Sequence, residues 1–487
     1  MKISFNKGLS KQPQVLLVPF FADLKNLSPD HKSWLQKRIE HKDISSSNGE
    51  HLIKFSEAEG QPIKTLFWCF GNEKSVNGKK IRSGFAHAIK ELRKHPINIL
   101  EVAISSQFAK YPQEIGEALA LANYNHSMFK TGQDHADIQA KVIQDVIIVS
   151  ADINRTQKFD LEEGFKIGLS VNMVRDLINS PHNIVDSEVM AKKAEEICKK
   201  NRLKITVFDR KQLEKMKMGA LLAVNNGSKL GAKMVVMEHL PLGKRQDPIV
   251  IVGKGVTFDT GGVNIKPSNG ITEMHMDMAG AAVVLGVFSL LKELEIKQNV
   301  IGVIPLTDNA VDAHAQKPSD IITSYAGKTI EIGNTDAEGR LILCDAISYA
   351  VKTYKPSQVI DVATLTGACI VALGDQMAGL FGNNSKMKDR LKNAAQETDE
   401  EVWELPIHDT HRKSMKGKFA DLNNIDGSGM AGASTGAAFI EYFVEDTDWV
   451  HLDIAGPAMP KKPKEIDFVG GTGFGVRLLT RYLQNIK

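Results

Sequence analysis

Short apolar runs alternate with polar, helix-compatible stretches along the whole chain. Before residue 152 the runs Val15–Val18, Thr65–Phe70, Ile97–Ile104 and Val142–Val149 are separated by segments such as Ile81–Lys94 and Gln113–Ala122. That rhythm predicts a mixed or parallel sheet with crossover helices. The polar, charged stretch Asp152–Gly164 predicts a boundary. The reading is an N-terminal α/β domain over 1–152, a linker over 153–168 and a larger α/β domain over 169–487.

The second part repeats the pattern more strongly. Ile205–Phe208, Pro248–Val252, Val300–Ile304, Val359–Ala363 and Val450–Ile454 read as buried strands. Ala279–Leu294, Glu338–Val351, Thr435–Val444 and Val476–Gln484 read as helices. Asp186 is placed to cap a helix running through Asn201, with Glu188 in its first turn. Glycines cluster where strands end, and open α/β sheets place their sites there.

Composition narrows the function classes. With 487 residues, 42% apolar and 24% charged, the chain is an ordinary globular sequence of two or three domains. Lys plus Arg is 61 against 58 for Asp plus Glu, so bulk charge gives no reason to expect a nucleic-acid or membrane partner. The basic clusters Lys90–Lys94 and Lys461–Lys464 are small and read as solvated faces. Cys69, Cys198, Cys344 and Cys369 form no CxxC pair, which argues against a disulfide framework and fits a reducing compartment. The longest low-polarity stretch, Gly280–Leu291, is far short of the ~20 residues that span a bilayer. A soluble, cytoplasmic protein is expected.

Three segments carry candidate chemistry. Gly253–Pro267 follows an apolar strand and holds Lys254, Asp259 and Lys266 in a glycine-rich loop. Asn334–Leu341 follows the strand Thr329–Ile332 and holds Asp336, Glu338 and Arg340. If that segment is extended, the three side chains point to one side, because the strand period is two. Met274–Gly280 holds Asp277 among methionines. Singly, each acid has an ordinary explanation, such as a helix N-cap. Together, four carboxylates beside the strand ends of one sheet would need compensation beyond Lys266 and Arg340. Two divalent cations would supply it, and an all-oxygen acidic site suits Mg, Mn or Zn.

At these residues the sequence resembles the leucyl (cytosol) aminopeptidase family of dinuclear metallopeptidases. Asn334–Leu341 is similar to the family signature in full. Lys254–Pro267, Asp277 with its methionines, Ala363–Ala368, Ala420–Leu422 and His451–Gly456 match as well. The likeness covers residues 165–487 well, and the N-terminal part only in general layout.

The resemblance implies a three-layer α/β/α catalytic domain with a mainly parallel mixed sheet, behind a smaller N-terminal α/β domain. It implies release of N-terminal residues, leucine-like and other apolar ones with broad specificity, by a water or hydroxide bridging two metals. Asp259 and Glu338 would each bridge both metals. Lys254 and Asp277 would complete the tighter site, and Asp336 the exchangeable one. The ions implied are manganese or zinc, with magnesium at the exchangeable site. Lys266 and Arg340 would be catalytic, Arg340 holding a bicarbonate that serves as general base. Met274, Thr364, Leu365, Gly367, Ala455 and Ala458 would line the substrate pocket. The resemblance also implies a homohexamer acting on peptides. Two departures stand out: His275 replaces the usual lysine, and Pro457-Ala458-Met459 is a less common version of its segment.

Two further motifs compete. Gly427–Gly432 fits GxGxxG, but the stretch before it is not a hydrophobic strand. Gly432–Gly436 fits the GxSxG elbow, with Asp446, Asp448 and His451 in triad order downstream. A glycine-rich loop precedes it where the elbow needs a strand. Serine hydrolysis is therefore the enzymatic alternative. A DNA-associated role is the alternative of another class. No histidines form an HExxH pair, so a thermolysin-like zinc helix is excluded.

Overall fold

The computed structural model describes residues 1–10, 14–58, 61–243, 246–464 and 466–486. The chain forms two compact units, Met1–Asn172 with Pro463–Phe468, and Met173–Lys462 with Val469–Lys487. The stretch expected to be a linker is instead helical from Arg155, in a helix that runs to Asn179. Its polar composition marks exposed helix faces rather than a loop: Leu161, Phe165, Val171 and Val174 recur at helical spacing and are buried.

The first unit holds a six-stranded sheet in the order Lys2–Asn6, Asp145–Val149, Ile99–Ala103, Val15–Phe20, Gln61–Cys69, His51–Ala58. All pairs are parallel except the last. The four strands expected here are present. His51–Ala58 was not expected, and its pattern shows why: among Phe55, Ser56 and Glu57 every side chain is exposed. An outer strand with little burial carries little apolar signal.

The second unit is built on a long mixed sheet. Its order is Val402–Glu404, Ala378–Gly382, Asp448–Asp453, Gln358–Ala363, Ile249–Gly253, Val300–Asn309, Lys233–His239, Lys204–Phe208. The three central pairings are parallel. The strands are near-continuous apolar runs because both faces are covered. Helix Ala279–Leu290 is buried around its whole circumference, apart from Ser289. It lies close on the sheet: a Cβ on Gly280 would collide with the Val362 carbonyl oxygen. Helix Glu338–Tyr354 is almost as deeply buried.

Strand Val300–Asn309 runs past two shorter parallel partners in tandem. Ile249–Val252 pair with Val300–Val303, and Gly255–Asp259 pair with the stretch from Leu306 to Asn309. Lys254 sits at the break between the two partners. Its N–H donates to Val362 O at 3.0 Å and its carbonyl accepts from Ala281 N at 2.8 Å. The backbone is thus clamped between strand and helix, and the side chain is buried with it.

Candidate metal centre

The four acids were expected beside strand ends of one sheet. Asp336, Glu338 and Arg340 instead follow Thr329–Glu331 of a separate three-stranded sheet, and Asp277 lies in the short 3-10 helix Met274–Met278. Other candidates arrive from the carboxyl ends of strands in the main sheet. Lys254 follows Ile249–Gly253, Asp259 ends Gly255–Asp259, Thr364 to Gly367 follow Gln358–Ala363, and Ala455 follows Asp448–Asp453. Topology places their side chains at one edge of the sheet. They surround a cavity of about 350 Å³ bordered by Lys254, Asp259, Lys266, Met274, Asp277, Asp336, Glu338, Arg340, Thr364, Leu365, Gly367 and Ala455. Of the expected residues only Ala458 is absent from this border. It is buried, with its N–H bonded to Ile454 O and its own carbonyl accepting from Thr472 N. A larger depression of about 820 Å³, along Val402–Glu404, holds none of the residues expected to do chemistry.

The route to convergence differs from the one the sequence suggested. Asn334–Arg340 is not extended: Thr335 and Asp336 form a turn and Glu338 opens the helix. Asp336 does not cap that helix, whose N-terminal cap residue is Ala337 with no side-chain cap bond. Asp277 does not cap Ala279–Leu290 either, since that helix is preceded by Met278 without a side-chain cap. The N-cap explanation therefore fails for both acids; Asp277 instead meets Glu338 across Lys254, and Asp336 meets Asp259 across Lys266. One carboxylate oxygen from each of Asp259, Asp336 and Glu338 lies within 4.8 Å of the others.

Two lysines are threaded into the acids. Lys254 Nζ donates to Asp277 Oδ1 and Thr364 O, each at 2.8 Å, and lies 2.8 Å from Glu338 Oε1. Lys266 Nζ lies 2.8 Å from Asp259 Oδ2 and 2.5 Å from Asp336 Oδ1. Burial pulls both lysines down, but the surrounding carboxylates win and hold each above the ordinary lysine value. Burial pushes Asp277 well above the usual carboxylate range, against the pull of Lys254. Burial, with Asp259 and Glu338, pushes Asp336 up to about 6, against Lys266. Arg340 is brought down to about 10, chiefly by burial.

Two ammonium groups face four acids: Lys254 is shared by Asp277 and Glu338, and Lys266 by Asp259 and Asp336. Fully ionised, the acids carry two more charges than the lysines offset, and a buried charge left uncompensated is costly. Such an oxygen-rich cluster around one cavity fits divalent cations. An amine ligand fits as well, once Lys254 gives up its proton.

Other residues, not anticipated from sequence, hold this arrangement. Asn309 Nδ2 donates to Asp259 Oδ1 at 2.9 Å and to Thr335 O at 3.1 Å. Thr335 Oγ1 donates to Gly261 O and accepts from Asn264 N. Gly261 has φ +86°, and a Cβ there would sit 2.9 Å from Asp336 Oδ1, so glycine is required on both counts. Asn424 accepts from Gly333 N and donates to Asn334 O, and its carbonyl accepts from Arg340 Nη1 at 2.8 Å. Arg340 Nε is buried with no partner. Met276, Asn334, Ala337, Thr366, Ile370, Ile425 and Gly432 also border the cavity. Sequence offers no signal for most of these, since an Asn or Thr outside the motif core looks like any loop residue. His275 is half-buried, and burial lowers its pKa.

The competing motifs lose their structural context. Ser434 lies inside helix Gly432–Glu441, not at a strand-to-helix elbow. His451 is fully buried and paired at 2.6 Å with Asp361, a partner outside the proposed triad order. GxGxxG at Gly427–Gly432 follows only the two-residue strand Leu422–Asn423. No described helix is long and apolar enough to cross a membrane.

Known proteins share this arrangement of chain. The cytosol aminopeptidase family, catalytic domain, matches residues 172–480. A probable cytosol aminopeptidase of Chloroherpeton thalassium is 45% identical over 465 residues, covering 92% of this chain and 91% of the relative. One from Nitrosococcus oceani is 37% identical over 462 residues, covering 93% and 90%. Among solved structures, the bottromycin maturation enzyme BotP in complex with Mn superposes with a TM-score of 0.85 at 25% identity, covering 97% of this chain and 99% of that one.

Proposed function

The chain belongs to the cytosol aminopeptidase family, whose reaction is metal-dependent hydrolysis at peptide N-termini, and from that premise we propose a dinuclear site with broad apolar preference. The observation that carries the reading is four acids, Asp259, Asp277, Asp336 and Glu338, sharing only two lysines around one cavity. Asp259 and Glu338 would be shared by two cations, with Lys254 and Asp277 completing one position and Asp336 the other. When bound, such cations supply Lewis acidity for the scissile carbonyl and a water acidic enough to attack at neutral pH. Manganese or zinc is the proposed native metal, with magnesium tolerated at the Asp336 position. The catalytic unit is proposed to run from about residue 169 to the end of the chain, as the family match over 172–480 suggests.

The chain's own groups do the rest. Lys266 reaches the cavity while partly exposed, so its ammonium can turn from Asp259 and Asp336 toward a developing oxyanion. One such donor is typically worth about 3–4 kcal/mol. Arg340 has one Nη anchored on Asn424 O and its Nε unpaired, a planar fork suited to a bidentate oxyanion such as bicarbonate. That anion would take the proton from the attacking water. The substrate's free amine would ligate one of the cations held by the acids, which restricts cleavage to the first peptide bond. Met274, Thr364, Leu365, Gly367 and Ala455 would border its side chain. These walls are apolar or small, and each methylene contributes only about 1–3 kcal/mol, so several apolar residues should be accepted. The protein is proposed to act as a homohexamer in the cytoplasm; light scattering after size exclusion checks the assembly.

The test is hydrolysis of a panel of amino-acid amides by protein stripped with chelator and then reloaded with Mn or Zn. Activity lost on stripping, restored by metal and highest for leucine or methionine amide is expected. Undiminished activity in fully stripped protein would refute the reading.

A further inference from the structure

Asp453 is a fully buried carboxylate at the end of strand Asp448–Asp453, and no cation among the described residues lies within ion-pair distance of it. A buried anion of this kind is tolerable only if several donors converge on it. Here they do. Oδ1 accepts from Leu365 N at 3.1 Å, from Thr366 N at 3.5 Å and from Ala455 N at 3.2 Å. Oδ2 accepts from Thr366 Oγ1 at 2.7 Å. Thr366 Oγ1 in turn accepts from Cys369 N and so caps the short helix Gly367–Leu373.

Every donor but one belongs to the loop after Gln358–Ala363; the other is the main chain at Ala455. Both stretches border the cavity. The same loop is pinned at its other end by the metal cluster. Thr364 Oγ1 donates to Asp277 Oδ1 at 2.6 Å, and Thr364 O accepts from Lys254 Nζ. The loop therefore has two anchors, one on the proposed ligands and one on Asp453. Losing the first would disturb metal binding. Losing the second would leave the ligands in place and free the wall between Leu365 and Ala455.

We propose that Asp453 is a positioning residue for substrate choice: it sets the pocket for the first side chain by holding Leu365, Thr366 and Ala455, without touching substrate or metal. This rests on the reading of the cavity as an aminopeptidase site. Replacing Asp453 by Asn keeps the shape but removes the charge on which the N–H groups converge. The amide oxygen can still accept from those N–H groups, though more weakly, and the NH2 replacing Oδ2 no longer accepts from Thr366 Oγ1, so the wall is held less firmly.

The experiment compares wild type with Asp453→Asn in three readouts: steady-state kinetics on leucine and glycine amides, Mn affinity, and amide hydrogen exchange. KM for leucine amide should rise about tenfold while kcat changes by less than about threefold, so that the leucine-to-glycine ratio of kcat/KM falls about tenfold. Mn affinity should stay within about threefold, and exchange should quicken in 364–369 ahead of neighbouring segments. An unchanged ratio with unchanged exchange would overturn the proposal. So would an equal loss on both amides that tracks loss of metal. Should Asp453→Asn fail to fold, Thr366→Val is expected to reproduce the shift and Thr366→Ser to recover most of it; two equal variants would overturn the proposal. Wild-type protein inactive on every amide would sink the functional reading, and the exchange arm would still decide whether Asp453 holds the wall.

Discussion

Lys254 donates to Asp277 from a buried ammonium 2.8 Å away, and the same nitrogen lies 2.8 Å from Glu338. One ammonium is thus shared between two acids, so that the fully ionised trio carries a net negative charge. A buried charge of that kind is costly unless compensated. On the proposed ligand set, a bound cation would displace the Lys254 proton, which the acids hold above its ordinary value.

Glu338→Gln removes one formal charge while keeping the side chain's size. Activity on leucine amide should fall at least about a hundredfold, with metal occupancy falling in parallel. Elemental analysis beside the assay checks this, and an active, fully metallated variant contradicts the shared-ligand role.

Because cations bind the folded acids and not the dispersed ones, Mn should stabilise the fold. At about a hundredfold excess over Kd the gain is roughly 2.7 kcal/mol, or roughly 3 °C in the midpoint of a chain this long. Thermal melts of stripped protein with and without Mn measure it. A midpoint indifferent to Mn counts against the centre.

Gly339 has no Cβ, and the space one would fill is occupied by Lys254: Cε would lie 2.6 Å and Nζ 2.8 Å from it. Gly339→Ala should therefore displace the end of Lys254 and weaken Mn binding by about tenfold. On propensity alone alanine in this helix is worth up to about 1 kcal/mol, so the metal-free melting point should hold or rise. Calorimetric titration with Mn, beside a metal-free melt, separates the two effects.

His451 and Asp361 form an ion pair inside the sheet, and Trp449 Nε1 donates to the other Asp361 oxygen at 2.7 Å. Burial pulls His451 down, but Asp361 prevails and raises its pKa above 6.5. The stabilisation is then complete below the unfolded value near 6.5 and is lost as pH rises through the folded value, since only the folded chain still holds the proton between them. Denaturant unfolding from pH 6 to 9 should show stability falling with pH. His451→Gln, which keeps a donor but does not titrate, should flatten that slope.

Much of the fold was legible in the chain. The helix capped by Asp186 runs from Ser187 to Asn201 as expected, with the Asp186 side chain accepting from Val189 N. The central strands were equally plain, because a strand buried on both faces must be apolar throughout. Weakly buried strands were missed, such as His51–Ala58 and the outer Val402–Glu404, where Trp403 and Glu404 are exposed; so were the buried strands Lys233–His239, which carries charged and polar ends, and Ala378–Gly382, which carries two glycines.

The acids, Lys266 and Arg340 bordering the cavity were picked out as ionisable residues near expected strand ends, whereas Lys254 as a ligand was implied only by the family resemblance. Their meeting was not readable. Asp336, Glu338 and Arg340 come together through a turn and a helix start, not through the strand period that first suggested it. Ala458 shows the same limit from the other side: a small residue near a motif reads alike whether it borders a cavity or fills the core. Asn309, Asn424 and Asp453 matter through bonds to residues 26 to 91 positions away, and no local pattern encodes such a bond. Local chemistry is written along the chain, whereas the sharing of one small, poorly solvated space by distant charges exists only once the sheet has brought its strand ends together.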